Sequence, residues 1–246
     1  MQADQMGASM GLEAGPPRFE APNRMRAPAL PRGARPDGTE SGLLVLTRAV
    51  LRVVVRITAR GGVDLQGLEN LPARGPLLIC SNHLSNFDPL VYAATIPRVV
   101  HALTKEELFR NPLAGAFFSR CNCILVRRGE PDRLAIRGAL AVLRGGGALI
   151  VFPEGHRSVD GRMRAFELGA GYLAVRSEAQ VLPCAIWGTE RVLPKGELLP
   201  RRGPIAVRLG DTFQTVGKDP AAATAAIRER VAALLPAGYR PSADCD

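Results

Sequence analysis

Two short stretches of the sequence hold most of its chemically capable side chains. The first reads Ser81-Asn82-His83-Leu84-Ser85-Asn86-Phe87-Asp88, with His83 five positions ahead of Asp88. Two metal ligands on one helix stand four apart, so this spacing suits a turn instead. There the carboxylate can fold back onto one imidazole nitrogen, fix the tautomer and stabilise the imidazolium. The pair could then act as general base on a hydroxyl. A surface turn without chemistry has the same spacing. No G-x-S-x-G elbow is present, and the cysteines have no paired arrangement, so no nucleophile accompanies the base. A base alone points to a substrate that brings its own nucleophile, as when an activated group passes directly to a bound alcohol.

The second stretch is cationic and reads Pro153-Glu154-Gly155-His156-Arg157-Ser158. Arg127 and Arg128 follow one apolar run and Lys105 follows another. Arginine forks bind phosphate bidentately, and a glycine such as Gly155 lets backbone approach a ligand closely. Solvated surface charge is the alternative for each cation. His156 either touches substrate or faces water, whereas His101 lies inside an apolar run and reads as a structural histidine.

The elements that must position these residues are short apolar runs alternating with helical patterns. Leu77–Cys80, Val99–Leu103, Cys123–Val126, Ala148–Phe152, Val181–Trp187 and Ile205–Leu209 are continuous runs, which suit strands covered on both faces. Residues 131–144, 164–177 and 220–235 read as helices, the last with Asp219 as N-cap and Pro220 at its first position. The alternation predicts an α/β fold, a central mostly parallel sheet flanked by helices. In such a fold ligands collect at the carboxyl ends of strands, where both polar stretches fall.

The chain has 246 residues, 32 Lys or Arg against 23 Asp or Glu, and a formal charge of +9. Residues 1–42 balance five arginines against five acids and contain six Gly and six Pro. They cannot bury enough surface to fold and read as a disordered tail, so the whole excess lies beyond them. Residues 43–62 are expected to form a basic amphipathic helix, with Arg48, Arg52, Arg56 and Arg60 recurring every four positions. On a helix these make one drifting stripe. It either lies at lipid headgroups, with the apolar side down, or is the solvated face of an ordinary packing helix. Residues 63–246 would then be one catalytic domain.

No apolar run approaches the ~18 residues of a confident membrane span, and no early apolar segment reads as a secretory signal. The five cysteines are odd in number and irregularly spaced, as expected of small buried side chains in a reducing compartment. Aromatics are only 5% of the chain and no nucleic-acid motif appears, so nucleic acid is not the expected anion.

Asn82-His83 with Asp88, then Phe152-Pro153-Glu154-Gly155 with Arg157-Ser158, resemble the H-x-x-x-x-D glycerolipid acyltransferases. They most resemble the 1-acylglycerol-3-phosphate (lysophosphatidic acid) acyltransferases. The resemblance runs from about Gly67 to about Leu209. It takes in Lys105 with Glu107-Leu108-Phe109 and Pro112, Ile124-Leu125-Val126 with Arg128, and Leu182-Pro183 with Ala185-Ile186. It implies His83 as base and Asp88 as its partner. It implies Arg128, Glu154 and Gly155 around a glycerophosphate, with Arg157 and Lys105 as further phosphate contacts. It implies an acyl thioester donor, on coenzyme A or acyl carrier protein, no metal or other cofactor, and phosphatidic acid as product in phospholipid synthesis.

The resemblance also implies a chain held peripherally on the cytoplasmic face of the cell membrane, its four-arginine stripe meeting an anionic surface. His156 where the family usually has Thr, Asn122 where it usually has Gly, and Arg127 where it often has Asp bear on which lysolipid is accepted. The same chemistry on another lipid acceptor is the alternative function, and a non-enzymatic basic membrane-binding module the remote one.

Overall fold

The computed structural model describes residues 42–105, 123–126 and 133–241. Its strands are β1 (Ala59–Gln66), β2 (Leu77–Ser81), β3 (Val100–Lys105), β4 (Cys123–Val126), β5 (Ala148–Val151), β6 (Gln180–Trp187) and β7 (Gly203–Leu209). Its helices are α1 (Gly42–Thr58), α2 (Asp88–Thr95), α3 (Arg133–Arg144), α4 (Gly169–Ser177), the single turn α5 (Thr189–Val192) and α6 (Pro220–Leu234). The strands form one sheet in the order β1-β7-β6-β2-β5-β3-β4. Every pairing is parallel except β6 with β7.

The continuous apolar runs are explained by what covers the sheet. Successive strand side chains point to opposite faces. Leu77 and Ile79 of β2 lie in one cluster with Leu51 and Val55 of α1 and Val91 and Tyr92 of α2. Leu78 and Cys80 lie in the other, with Leu143 of α3, Leu173 of α4 and Ile227 and Val231 of α6. All residues of β2 and β5 are buried, and all but Ser81 at the end of β2 are apolar. Cys80 and Cys184 are free, buried and in opposite layers, as small core side chains rather than a pair.

The helix starts follow local rules. Asp219 accepts from the Ala222 N–H at 2.8 Å and Pro220 follows it, so α6 begins where expected. The 164–177 segment becomes helical only at Gly169. Its earlier part is drawn into an irregular path, where the Glu167 N–H donates to Pro153 O at 2.8 Å.

The N-terminal helix departs from expectation at both its end and its polar face. It stops at Thr58 rather than running to 62, because Gly61 and Gly62 sit at φ 83° and 89° and the chain enters β1. Arg60 is therefore on a strand. Arg48 is buried and donates to Ile96 O, and Arg52 Nε donates to Ala94 O at 3.2 Å. Two of the four arginines, Arg48 and Arg52, thus meet carbonyls at the C-terminus of α2. The outward face is apolar, with Leu46, Val50, Val53 and Ile57 each at least half exposed, on the side opposite Leu51 and Val55. Among the described residues no helix is long and apolar enough to cross a membrane.

Candidate active site

Strands β2 and β5 are parallel neighbours, so the segments leaving their carboxyl ends lie side by side. This brings the two polar stretches of the sequence together. Chain continuity carries His83 and Asp88 out of β2, and residues 152–158 out of β5. The Ser158 N–H donates to His83 O at 2.8 Å and stitches the loops.

His83 Nδ1 lies 2.8 Å from Asp88 Oδ2. With a carboxylate as partner, Nδ1 carries the hydrogen and donates it, which leaves Nε2 basic. Asp88 is fully buried and stands at the start of α2, where a negative charge is favoured by the helix dipole. Its Oδ2 also accepts from the Leu84 N–H at 2.7 Å and the Ser85 N–H at 2.9 Å. Its Oδ1 accepts from Thr189 Oγ1. The five-residue spacing now has a physical basis: Asp88 closes the turn by binding the two amides that follow His83. The imidazole itself is partly exposed and stacks on Phe152, with ring centroids 4.2 Å apart.

The remaining polar groups make a frame. Asn82 Nδ2 donates to Ile186 O at 2.8 Å and its Oδ1 accepts from the Ile186 N–H at 2.9 Å, adding one side-chain rung between β2 and β6. Glu154 is 1% exposed. Its Oε1 accepts from the His83 N–H at 2.9 Å and its Oε2 from the Arg164 N–H at 3.3 Å. Burial, opposed by those two bonds, raises its pKa from 4.5 to about 7. Both Glu154 oxygens are thus committed to backbone amides, one of them in the His83 loop.

Gly155 has φ 69°, a left-handed backbone that favours glycine, and a side chain there would also displace the end of Glu167. His156 is exposed and Arg157 half-buried in the same loop. Lys105 closes β3. Arg127, Arg128 and Asn122, with the expected contacts at 107–112, lie outside the described residues, as does the tail through residue 41.

Among the described residues, the hydroxyls nearest His83 are engaged elsewhere. Ser81 Oγ bonds Asn82 O and Tyr92 Oη, Ser85 Oγ donates to Leu193 O at 2.8 Å, and Ser158 Oγ donates to Asp160 Oδ1 at 2.9 Å. A base backed by a buried carboxylate, with no protein nucleophile paired to it among the described residues, can deprotonate a hydroxyl brought by a ligand. His101 is buried against Ala148 O, and burial lowers its pKa, as befits a structural histidine.

Thr189, Ser85 and Asn82 were given no role by sequence reasoning. The available signal was the run of polar residues after apolar strands, where buried polar groups must find partners. For Thr189 the further cue was Gly188, at φ 89°, whose Cβ would meet Pro204 O at 2.1 Å.

A family model described as Acyltransferase matches residues 62–187. The chain is 29% identical over 137 residues to "1-acyl-sn-glycerol-3-phosphate acyltransferase LPAT1, chloroplastic" of Arabidopsis thaliana, covering 54% of this chain and 38% of that protein. It is 28% identical over 158 residues to the 1-acyl-sn-glycerol-3-phosphate acyltransferase of Bacillus subtilis, covering 64% and 76%. The matched stretch therefore spans little more than a third of the plant protein's length. The crystal structure of the 1-acyl-sn-glycerophosphate acyltransferase PlsC from Thermotoga maritima shares the fold, with a TM-score of 0.63, 24% identity and 78% of each chain covered.

Proposed function

Since the chain belongs to the Acyltransferase family, with the match across residues 62–187 as warrant, we propose that it moves a fatty acyl group from an acyl thioester to the free hydroxyl of 1-acylglycerol-3-phosphate. The products are phosphatidic acid and the free thiol, made in phospholipid synthesis. The observation that carries this reading is the 2.8 Å contact of His83 Nδ1 with the buried Asp88, which leaves Nε2 of a partly exposed ring as the base.

In the reaction His83 Nε2 removes the hydroxyl proton as that oxygen adds to the thioester carbonyl. Asp88 stabilises the imidazolium that forms. The tetrahedral intermediate then collapses with cleavage of the carbon–sulfur bond. The imidazolium returns its proton to the departing thiolate, and the base is regenerated. Arg157 and, by family resemblance, Arg128 and Lys105 hold the acceptor phosphate, so that its hydroxyl meets His83 rather than water. Glu154 and Gly155 shape the loop beneath it.

The donor is coenzyme A or acyl carrier protein, and no resident cofactor takes part. The chain works peripherally at the cytoplasmic face of a membrane. The exposed apolar face of α1 supports that placement, and the arginines do so less than their spacing implied. The exposed His156 supports a second reading, in which another lysophospholipid headgroup is the acceptor.

The test presents one radiolabelled acyl thioester with a panel of lysolipids. Labelled phosphatidic acid from lysophosphatidic acid, in clear preference to lysophosphatidylcholine and lysophosphatidylethanolamine, is expected. A reversed preference would establish the second reading.

A further inference from the structure

The turn between α5 and β7 is unused by the acyl-transfer chemistry. It reads Lys195-Gly196-Glu197-Leu198-Leu199-Pro200-Arg201-Arg202. Leu198 is 93% exposed and Leu199 80%, more than any other large apolar side chain among the described residues. The turn is not loose. The Arg201 N–H donates to Val192 O at 2.7 Å and the Glu197 N–H to Pro194 O at 3.2 Å, and Arg201 pairs with Glu197 across it. Pro194 and Pro200 fix φ on either side. The leucines are therefore presented on a braced tip, with Lys195, Arg201 and Arg202 exposed around them. Apolar tips ringed by cations partition to the boundary between acyl chains and anionic headgroups.

Strand register places this tip beside the chemistry. Ser81 of β2 pairs with Cys184 of β6, and Trp187 further along β6 pairs with Ala206 near the start of β7. The ends of β2 and β6 and the start of β7 thus share one end of the sheet, the end that carries His83. The tie is direct, because Ser85, two residues past His83, donates through Oγ to Leu193 O at 2.8 Å. Ala59 pairs with Gly203, so α1 also reaches this end, with Ile57 of its exposed apolar face two residues before the strand.

We infer that the 195–202 turn is a membrane anchor. Leu198 and Leu199 enter the acyl boundary of an anionic bilayer while Lys195 and Arg202 meet lipid phosphates, and the end of the sheet bearing His83 is held at the membrane face. The acyl-transfer reading supplies the reason for a lipid partner, but the test needs no turnover.

The full chain is sedimented with vesicles of phosphatidylcholine and phosphatidylglycerol, and with phosphatidylcholine alone. The double variant Leu198→Ser/Leu199→Ser is expected to bind the mixed vesicles at least about tenfold more weakly, with its melting temperature kept. Lys195→Gln/Arg202→Gln is expected to lose the preference for phosphatidylglycerol. A Leu199→Trp variant is expected to gain emission that shifts to the blue on vesicle addition, above the background of Trp187. Unchanged vesicle binding by the serine variant, or tryptophan emission indifferent to vesicles, would overturn the inference. So would loss of self-association in the serine variant with vesicle binding intact, which would make the tip a contact between copies. A protein inactive on thioesters that still binds vesicles through these leucines would contradict the proposed reaction and leave the anchor standing.

Discussion

Asp88 accepts four hydrogen bonds, from the His83 ring, the Leu84 and Ser85 amides and the Thr189 hydroxyl. Three donors converge on Oδ2, and the partner of Oδ1 is a hydroxyl that can also accept, so an amide in its place keeps the contacts and loses the charge. Asp88→Asn is expected to lower kcat by about ten-thousandfold, the scale seen when the acid of a Ser-His-Asp triad is replaced. It should also lose roughly 1–3 kcal/mol of stability as buried bonds to a charged acceptor become bonds to a neutral one. Steady-state kinetics and denaturant unfolding check the two effects separately. Thr189 acts on the reaction through Asp88 and is a positioning residue. Thr189→Val keeps the shape and removes a hydrogen bond to a charged group worth about 1.5–3 kcal/mol, so kcat is expected to fall by one to two orders of magnitude with KM little changed. Thr189→Ser, which restores the hydroxyl, is expected to recover most of it. If valine and serine behave alike, Thr189 has no hold on the base.

The joints between elements depend on buried charge. Glu154 joins the segment after β5 to the segment after β2, and its pKa is raised to about 7 by burial. Folding therefore favours its protonated form. The stability this contributes is fully present below the ordinary carboxyl pKa near 4.5 and is lost as pH rises through about 7. Glu154→Gln is expected to flatten the fall in stability between those limits, a difference on the order of 3 kcal/mol at most. Denaturant unfolding at several pH values reads it, and an unaltered pH profile would deny Glu154 that part.

Arg48 and Arg52 join α1 to the end of α2, which explains why the four-residue repeat misled. The spacing showed that the arginines share a face, but not which element lies opposite that face. Arg48→Met is expected to cost about 1–3 kcal/mol by leaving the Ile96 carbonyl unmet. The segment after Gly161 shows the same limit. Its apolar pattern was legible, whereas the contact with Pro153 that keeps it from being helical before Gly169 is tertiary.

Across the whole molecule, six of the seven strands were legible because each is built on a continuous apolar run. The first strand was not, because Ala-Arg-Gly-Gly-Val-Asp-Leu-Gln has no such run. The meeting of His83 with Asp88 was legible from spacing, and the meeting of their loop with residues 153–158 from the rule that ligands gather at strand ends. The supports from Asn82 and Thr189 were not, since each acts across more than 100 residues of sequence. The formal charge of +9 is distributed among different tasks, some of it inside the fold at Arg48 and some on the rim near Leu198 and Leu199.

The central claim is that His83 is the base for transfer to an external hydroxyl. Single-turnover thiol release from an acyl thioester in the presence of lysophosphatidic acid, compared between the native chain and His83→Ala, tests it most directly. The account predicts a loss of at least about a thousandfold in the variant, with its melting temperature near that of the native chain. A His83→Ala protein that is folded and releases thiol at close to the native rate would contradict it.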